Sequence, residues 1–221
     1  MEQRGLTIWF TGLPGSGKST IANLVAERLK AGNYKVERLD GDIVRKSLTR
    51  DLGFSKEDRD KNIQRVTFVA KLLTRNGVFV LSSFVSPYRA ARENARREIG
   101  SFFEVYVKCS LQECMRRDVK GMYKKAMAGE IKDFTGVSDP YEEPQEPELV
   151  LETDKETPGE NAEKVLSSLE GLGYLKRYLN KESKPEEGDS IYIQEEKRQV
   201  VEKLKSLGYL LDRAEATIKE L

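Results

Sequence analysis

Short apolar runs alternate with segments of helical periodicity over most of the chain. The first run, Leu6–Thr11, leads into a glycine-rich turn, and apolar side chains then recur at helical spacing over residues 21–30. A strand, a glycine turn and a helix in this order open a βαβ unit. Further short apolar runs predict strands at 36–39, 78–84, 103–107 and 148–151.

Between these runs the spacing of apolar residues predicts helices at 55–75, 88–98, 111–117 and 161–172. Ser55 is placed to cap the longest of them, and Asn76-Gly77 is placed to end it. Strands that alternate with helices predict an α/β fold with a parallel sheet and helices on both faces. Residues 118–147 lack clear periodicity and are interpreted as a mobile loop region.

The last part of the chain has a different pattern. A polar stretch at 180–190 indicates a linker, and apolar residues from Val200 to Leu221 then recur at spacings of four and three. We therefore expect a main α/β domain over residues 1–176, followed by a linker and a small helical C-terminal extension over 177–221. The apolar stripe of the extension is expected to pack on the main domain or on a partner subunit.

Composition narrows the function. The 221 residues include 38 Lys and Arg against 37 Asp and Glu, so no strong overall field favours nucleic acid or a membrane surface. The absence of histidine excludes histidine acid–base catalysis and histidine metal ligands. Cys109 and Cys114 are interpreted as reduced core residues. With neither a signal-peptide pattern nor an apolar run of about 18 residues, a cytoplasmic protein is expected.

A phosphate-binding loop follows the first strand. Residues 12–19 match the pattern G-x-x-x-x-G-K-[ST], whose backbone N–H groups surround phosphate oxygens. Lys18 is predicted to neutralise the transferred phosphate, and Ser19 to supply a hydroxyl to Mg²⁺. The alternative is a chance match in a Gly/Ser loop. The predicted ATP-binding residues are Gly12, Leu13, Pro14, Gly15, Ser16, Gly17, Lys18, Ser19 and Thr20.

The neighbouring strand ends favour a small-molecule kinase of the P-loop NTPase type. The third strand ends in Leu81-Ser82-Ser83 without a metal-binding aspartate, and a guanine-reading NKxD motif is lacking. Asp40-Gly41-Asp42 instead ends the second strand, at the sheet edge where ligands bind. Asp42 is predicted to accept the proton of the attacking hydroxyl. The alternative is that Asp42 only caps the next helix.

Residues 53–62 suit an acceptor site. Phe54 offers an aromatic ring, and Arg59 and Asn62 share one helix face. This combination suits a nucleotide base and an anion. The alternative for Phe54 alone is a hydrophobic staple. The segment 118–137, with four lysines and three glycines, is interpreted as a lid that closes over phosphates, the alternative being a solvated basic loop.

Over about residues 5–175 the chain resembles the adenylylsulfate (APS) kinase family. The matching stretches are GLPGSGKST, LDGD, DLGFSKEDRDKNI, SFVSPYR, RDVKGMYKKA, AGEIKDFTG, DPYEEP and PELVL. The resemblance implies transfer of the ATP γ-phosphoryl group to the 3′-hydroxyl of APS, with Mg²⁺. It also implies ATP and APS as the small-molecule partners, and we expect a homodimer.

The family's functional residues fall on matching positions of this chain. Its acceptor-site residues correspond to Asp42, Arg45, Phe54, Arg59, Asn62, Val85, Ser86, Lys120, Asp133 and Phe134. The family serine at Ser86 has been labelled a phosphoserine intermediate, which makes Ser86 a catalytic candidate beside Lys18 and Asp42. We expect direct in-line transfer, for which alignment and charge stabilisation suffice.

Two local departures from the family pattern are present. Ser110 replaces a proline after the fourth strand, and Asp133 stands where a small residue often precedes Phe134. Two other functions stay open. One is a P-loop kinase that acts on a nucleoside monophosphate or a sugar acid, and the other is a non-catalytic nucleotide-binding module.

Overall fold

The computed structural model describes residues 3–175, which form a five-stranded parallel sheet in the order β2-β3-β1-β4-β5. The strands are β1 Leu6–Thr11, β2 Val36–Asp40, β3 Phe79–Ser83, β4 Phe102–Lys108 and β5 Leu149–Glu152. The helices are α1 Lys18–Ala31, α2 Gly41–Val44, α3 Lys56–Arg75, α4 Arg89–Ile99, α5 Leu111–Arg117, α6 Met122–Met127 and α7 Pro158–Gly171. The predicted α/β fold is confirmed.

The central strand β1 is buried along its whole length because both faces of the sheet are covered. Leu6, Ile8 and Phe10 pack with apolar residues of α1 and α7 on one face. Trp9 points to the other face, where it packs with residues of α3 and α4. A strand buried on both faces reads as a continuous apolar run, which is why the sequence marks β1 so clearly.

Local capping explains where several helices begin. Ser55 caps α3 by accepting a hydrogen bond from the Asp58 N–H at 3.2 Å, as the sequence predicts. Ser110 caps α5 in the same way, accepting from the Glu113 N–H at 3.3 Å. The serine that replaces the family proline therefore has a structural role of its own.

The interpretation of 118–147 as a loop without regular structure is wrong for its first part, which contains α6. Asp118 starts this short helix because its carboxylate accepts from the N–H groups of Tyr123 and Lys124, both at 3.0 Å. Tyr123 and Ala126 anchor it by burial. Six residues are too few to display helical periodicity, so the sequence pattern could not reveal the helix.

The parallel order places the carboxyl ends of all five strands at one edge of the sheet. The glycine-rich turn leaves this edge at the centre, after β1, and Asp40 leaves it after β2. In open α/β sheets ligands bind in the crevice at this edge. The predicted C-terminal extension, 177–221, lies outside the described residues. Within 3–175, the longest apolar helical stretches fall short of what a membrane span requires.

Candidate active site

The turn after β1 has the geometry of a phosphate cradle. Gly12 has φ 152°, and a Cβ there would lie 2.4 Å from the carbonyl oxygen of Val107, so only glycine fits. Two contacts hold the loop from outside: Thr153 Oγ1 donates to the Ser16 carbonyl at 2.8 Å, and the Tyr123 hydroxyl donates to the Pro14 carbonyl at 2.9 Å. The loop is thus pre-shaped, and α1 begins directly behind it.

Lys18 is held inside this loop. Its Nζ donates to the carbonyl oxygens of Gly12 at 2.9 Å and Leu13 at 2.7 Å, and to Ser16 Oγ at 3.3 Å. Burial lowers the pKa of Lys18 from its ordinary value of 10.5 to about 8, although the nearby Asp40 carboxylate works in the opposite direction. The negative charge near the buried ammonium group is therefore too small to offset its burial until an anion binds.

This lowered pKa predicts a pH dependence of ATP binding. Phosphate oxygens favour the protonated amine, so above about pH 8 the enzyme must take up a proton to bind ATP. We expect the Kd for ATP to rise by up to about tenfold per pH unit above pH 8. Calorimetry between pH 7 and 9.5 measures it, and a Lys18→Met variant should lack the slope. An unchanged wild-type Kd over this range would contradict the assignment.

The pH dependence of folding stability has the opposite sign, so unfolding at high pH cannot produce the expected rise in the Kd for ATP. Because the pKa of Lys18 lies lower in the folded than in the unfolded chain, the unfolded state binds more protons between about pH 8 and 10.5. The contribution of Lys18 to stability therefore rises with pH across that window. Thermal unfolding in parallel separates the two effects.

Asp40 lies closer to the phosphate loop than Asp42 does. Ser19 Oγ donates to Asp40 Oδ2 at 2.6 Å, while Asp40 Oδ1 accepts from the N–H of Asp42 at 3.0 Å. Asp40, not Asp42, therefore caps α2, and the alternative that Asp42 is a cap is wrong. A hydroxyl and a carboxylate side by side suit Mg²⁺, which commonly takes one or two protein oxygens and completes its shell with phosphate and water.

The side chain of Asp42 is 67% exposed and its carboxylate contacts the ammonium group of Lys120. Lys120 comes from the segment 118–137, so this ion pair joins the end of β2 to the proposed lid. Both groups are accessible to a ligand. Asp42 is thus available to an acceptor hydroxyl, whereas Asp40 is engaged with Ser19.

The predicted acceptor residues are brought together in part. Arg45 lies over the ring of Phe54, 4.2 Å from its centroid, and donates to the carbonyl oxygens of Leu52 and Gly53. The Phe54 ring is 56% exposed, so it does not act as a buried staple for α3. Arg59 donates to the Phe54 carbonyl at 2.8 Å and reaches Thr135 and the Asp133 carbonyl across the cleft.

The buried side-chain amide of Asn62 is the next candidate for binding a ligand. The residue is 5% exposed, and its Oδ1 has no hydrogen-bond partner among residues 3–175. Buried side-chain oxygens are normally satisfied, and an unsatisfied one in a cleft is commonly explained by a bound molecule or water. It lies on α3 one turn after Arg59, as predicted.

Val85 and Ser86 follow β3 at the same edge of the sheet. Ser86 has φ 39° and is buried, and its Oγ accepts from Trp9 Nε1 and donates to Thr11 Oγ1, both at 3.1 Å. Thr11 Oγ1 in turn donates to the Val85 carbonyl at 2.8 Å. The Ser86 hydroxyl is therefore occupied by the protein, which suits a structural role better than a nucleophilic one.

Asp133 and Phe134 belong to the connection between α6 and β5, and the Asp133 carbonyl accepts from Arg59 on α3. Asp133 has φ 53°, a left-handed conformation that Asp tolerates better than most residues other than glycine. Phe134 is only 5% exposed and packs edge-on against Tyr123, in one cluster with Cys109 and Cys114. The two cysteines are free and buried, as predicted, and burial raises the pKa of Cys114 to about 12.

The sequence interpretation left Asp40, Thr11 and Tyr141 without a role. Asp40 pairs with Ser19, and the Tyr141 hydroxyl lies 2.9 Å from Thr11 Oγ1. A signal for Asp40 was present, because it is the last residue of a strand at the ligand-binding edge. Tyr141 carried no such signal, since it reaches the site from 130 residues away in the chain.

The comparisons with known proteins agree with this geometry. Residues 4–152 match the family model of adenylylsulphate kinase. The adenylyl-sulfate kinase of Halothermothrix orenii is 62% identical over 174 residues, covering 79% of this chain and 94% of that protein. The adenylyl-sulfate kinase of a Picosynechococcus strain is 59% identical over 175 residues, covering 79% and 99%.

A solved structure is similar as well. The APS kinase of Mycobacterium tuberculosis, in complex with AMPPNP and APS, superposes with a TM-score of 0.74 at 45% sequence identity, over 76% of this chain and 99% of that one. The family match spans well over half of the chain, and the relatives are covered almost completely. The chain therefore belongs to the adenylylsulphate kinase family of ATP-dependent kinases.

Proposed function

We propose that this enzyme transfers the γ-phosphoryl group of ATP to the 3′-hydroxyl of adenosine 5′-phosphosulfate, giving PAPS and ADP. The observation that carries the proposal is that the phosphate loop follows β1 and Asp42 follows β2 at the same edge of the sheet, while the buried Oδ1 of Asn62 on α3 has no partner among residues 3–175. Relatives named adenylyl-sulfate kinase support the choice of acceptor.

On the ATP side, residues 12–20 would hold the phosphates through backbone N–H groups and the start of α1. Lys18 would leave the Gly12 and Leu13 carbonyls and turn toward the β- and γ-phosphates. Ser19 and Asp40 would hold Mg²⁺, which supplies positive charge against the phosphate oxygens. Exchanging two neutral carbonyl partners for charged phosphate oxygens would stabilise the protonated form of Lys18.

On the acceptor side, the exposed face of Phe54 offers a stacking surface for the adenine of APS. The free Oδ1 of Asn62 would accept from the exocyclic amine of that base. Arg45 and Arg59 supply positive charge for the phosphosulfate group. The walls at Val85–Ser86 and Asp133–Phe134 close the pocket around these groups.

Asp42 would orient the 3′-hydroxyl and accept its proton, with Lys120 stabilising the charge on the moving phosphoryl group. The contact between Lys120 and Asp42 would therefore open when both substrates are bound. Because Ser86 Oγ is bonded to Trp9 and Thr11, we favour a single in-line displacement over a phosphoserine intermediate.

A coupled assay of ADP release tests the function. We expect release to require APS and Mg²⁺, with product phosphorylated at the 3′-position, as read by ³¹P NMR. A chiral γ-phosphate should show inversion, as one displacement demands; net retention would contradict it. Equal or faster turnover with a nucleoside monophosphate or a sugar acid would favour the other kinase interpretation. ATP binding without turnover of any acceptor would favour a non-catalytic module.

The homodimer and the cytoplasmic location stay predictions. The division at residue 176 also stays a proposal, since the extension lies outside the described residues. Light scattering on the full chain measures the mass in solution, and a mass of one subunit would contradict the dimer.

A further inference from the structure

The backbone at Ser86 is held in a conformation that serine rarely adopts. Its φ of 39° lies in the left-handed region, where side chains other than those of Gly, Asn and Asp are disfavoured. Such a conformation persists only where surrounding contacts impose it. Under the proposed function this turn is a wall of the acceptor site, so what imposes its shape bears on catalysis.

One guanidinium group binds the turn from behind. Arg92, on the first turn of α4, is 2% exposed and donates from Nη1 to the Ser86 carbonyl at 2.6 Å. Its Nη2 donates to the Glu142 carbonyl at 2.6 Å, and its Nε donates to Glu104 Oε1 on β4 at 2.9 Å. All three nitrogens are thus used, each on a different segment of the chain.

Arg92 is the side chain that binds all three segments at once. The turn around Ser86 follows β3, Glu104 lies on β4, and Glu142 belongs to the long connection before β5. That connection also reaches the site, because the Glu142 N–H donates to the Pro87 carbonyl at 2.9 Å and Tyr141 contacts Thr11. A planar group with donors in fixed directions sets the distances between all three.

A buried ion pair such as that of Arg92 and Glu104 is an ineffective means of stabilising a fold. An apolar replacement of similar volume is often neutral or stabilising, since the desolvation of both charges offsets their attraction. Glu104 also accepts from Arg96 at 3.3 Å, and Arg96 pairs further with Glu148. Glu104 therefore keeps a cation nearby without Arg92, and the particular contribution of Arg92 is its pair of carbonyl contacts.

The contacts continue from the turn to the phosphate loop. Ser86 Oγ donates to Thr11 Oγ1, and Thr11 ends β1 immediately before Gly12. The same oxygen of Ser86 accepts from Trp9, which is the single tryptophan of the chain. The indole thus reports on the turn spectroscopically, independently of any substrate.

We propose that Arg92 is a positioning residue of the acceptor site. It touches no reacting atom; it acts through the Ser86 and Glu142 carbonyls, which it fixes relative to the phosphate loop. The acceptor hydroxyl then lies in line with the γ-phosphate only while this shape is kept. Misplacement by about 1 Å costs on the order of 10²-fold in rate. The inference rests on the proposed function of the Val85–Ser86 wall.

The test compares four variants with the wild-type enzyme: Arg92→Met, Arg92→Lys, the double variant Arg92→Met/Glu104→Gln, and Arg96→Met as the matched control. Arg96 is an ion-pair partner of the same Glu104, but its other hydrogen bonds go to Glu148 rather than to the Ser86 carbonyl. Each is measured for KM and kcat with ATP and with APS, for Trp9 emission without substrate, and for thermal unfolding.

We expect Arg92→Met to lower kcat/KM for APS by roughly 10- to 100-fold, with the KM for ATP within about twofold of the wild type. Its Trp9 emission should shift, because the acceptor of the indole N–H is displaced. Arg92→Lys should keep the pair with Glu104 but still show most of the loss in kcat/KM for APS, since one ammonium cannot replace the fork. Arg96→Met should keep wild-type APS kinetics and Trp9 emission.

The double variant separates positioning from charge compensation. It removes the Glu104 charge, which Arg92→Met leaves buried with Arg96 as its remaining cation, so its thermal stability should return toward the wild type while the APS and Trp9 effects persist. Wild-type APS kinetics in the double variant or in Arg92→Lys would overturn the inference, as would equal losses with ATP and APS. Failure of the wild-type enzyme to phosphorylate APS would instead contradict the proposed function.

Discussion

Replacing Lys18 with methionine is expected to lower kcat by at least about 10³-fold without destabilising the fold. The ammonium group bonds to the Gly12 and Leu13 carbonyls and to Ser16 Oγ, all neutral acceptors, so charged phosphate oxygens would bind it more strongly. The lowered pKa of Lys18 means that burying its charge destabilises the folded state by roughly 3 kcal/mol at neutral pH. Methionine removes that cost, although it leaves two carbonyls without a donor.

The measurements are kcat with saturating APS and the free energy of unfolding in urea. A Lys155→Met variant is the matched control, because Lys155 is an exposed lysine paired with Glu152. We expect the control to have wild-type turnover. Near-native turnover of Lys18→Met would contradict the assignment of the phosphate loop. A loss of activity that accompanies unfolding would contradict the predicted stability.

The second large effect is expected at Asp42. Asp42→Asn should lower kcat by roughly 10²- to 10⁴-fold, as is typical for the loss of a general base, with little change in the KM for ATP. The amide keeps the size of the side chain but accepts no proton. The backbone N–H of Asp42, which bonds to Asp40, is unaffected by the change.

Asp40→Asn provides the contrast. Asp40 accepts from the Ser19 hydroxyl at 2.6 Å, so its loss should raise the Mg²⁺ concentration needed for half-maximal activity and raise the KM for MgATP. Although Asp40 and Asp42 are only two positions apart, their substitution should change different kinetic parameters. If Asp42→Asn weakens ATP binding and leaves the turnover of saturated enzyme intact, the two roles proposed here are reversed.

Much of this protein could be predicted from its sequence. The strands of a parallel sheet are buried on both faces, so β1, β3 and β4 appear as continuous apolar runs. The phosphate loop is recognisable in the sequence because its backbone conformation requires glycine at fixed positions, as at Gly12. The order of the acceptor motifs pointed to the adenylylsulphate kinase family, and the family match confirms it. The roles of individual site residues stay predictions.

Three features could not be predicted because they depend on which segments meet in space. Ser19 and Asp40 are paired by the packing of α1 beside β2, whereas the sequence indicated a role for Ser19 and none for Asp40. Arg92 had no predicted role beyond its place in the helix at 88–98, yet it is buried between three segments. Phe134 was expected to face the acceptor, and its ring packs on Tyr123.

The sequence by itself determined the succession of the five strands and of five of the seven helices in residues 3–175, the phosphate loop and the family, because each depends on local spacing or on a contiguous motif. The tertiary structure decided that Asp40 pairs with Ser19, that the Ser86 hydroxyl is occupied and that Arg92 is buried between three segments. Several of these contacts join distant parts of the chain, such as Ser19 with Asp40, 21 positions apart, and Trp9 with Ser86, 77 positions apart. No local pattern encodes such distances, since they follow from the strand order of the sheet.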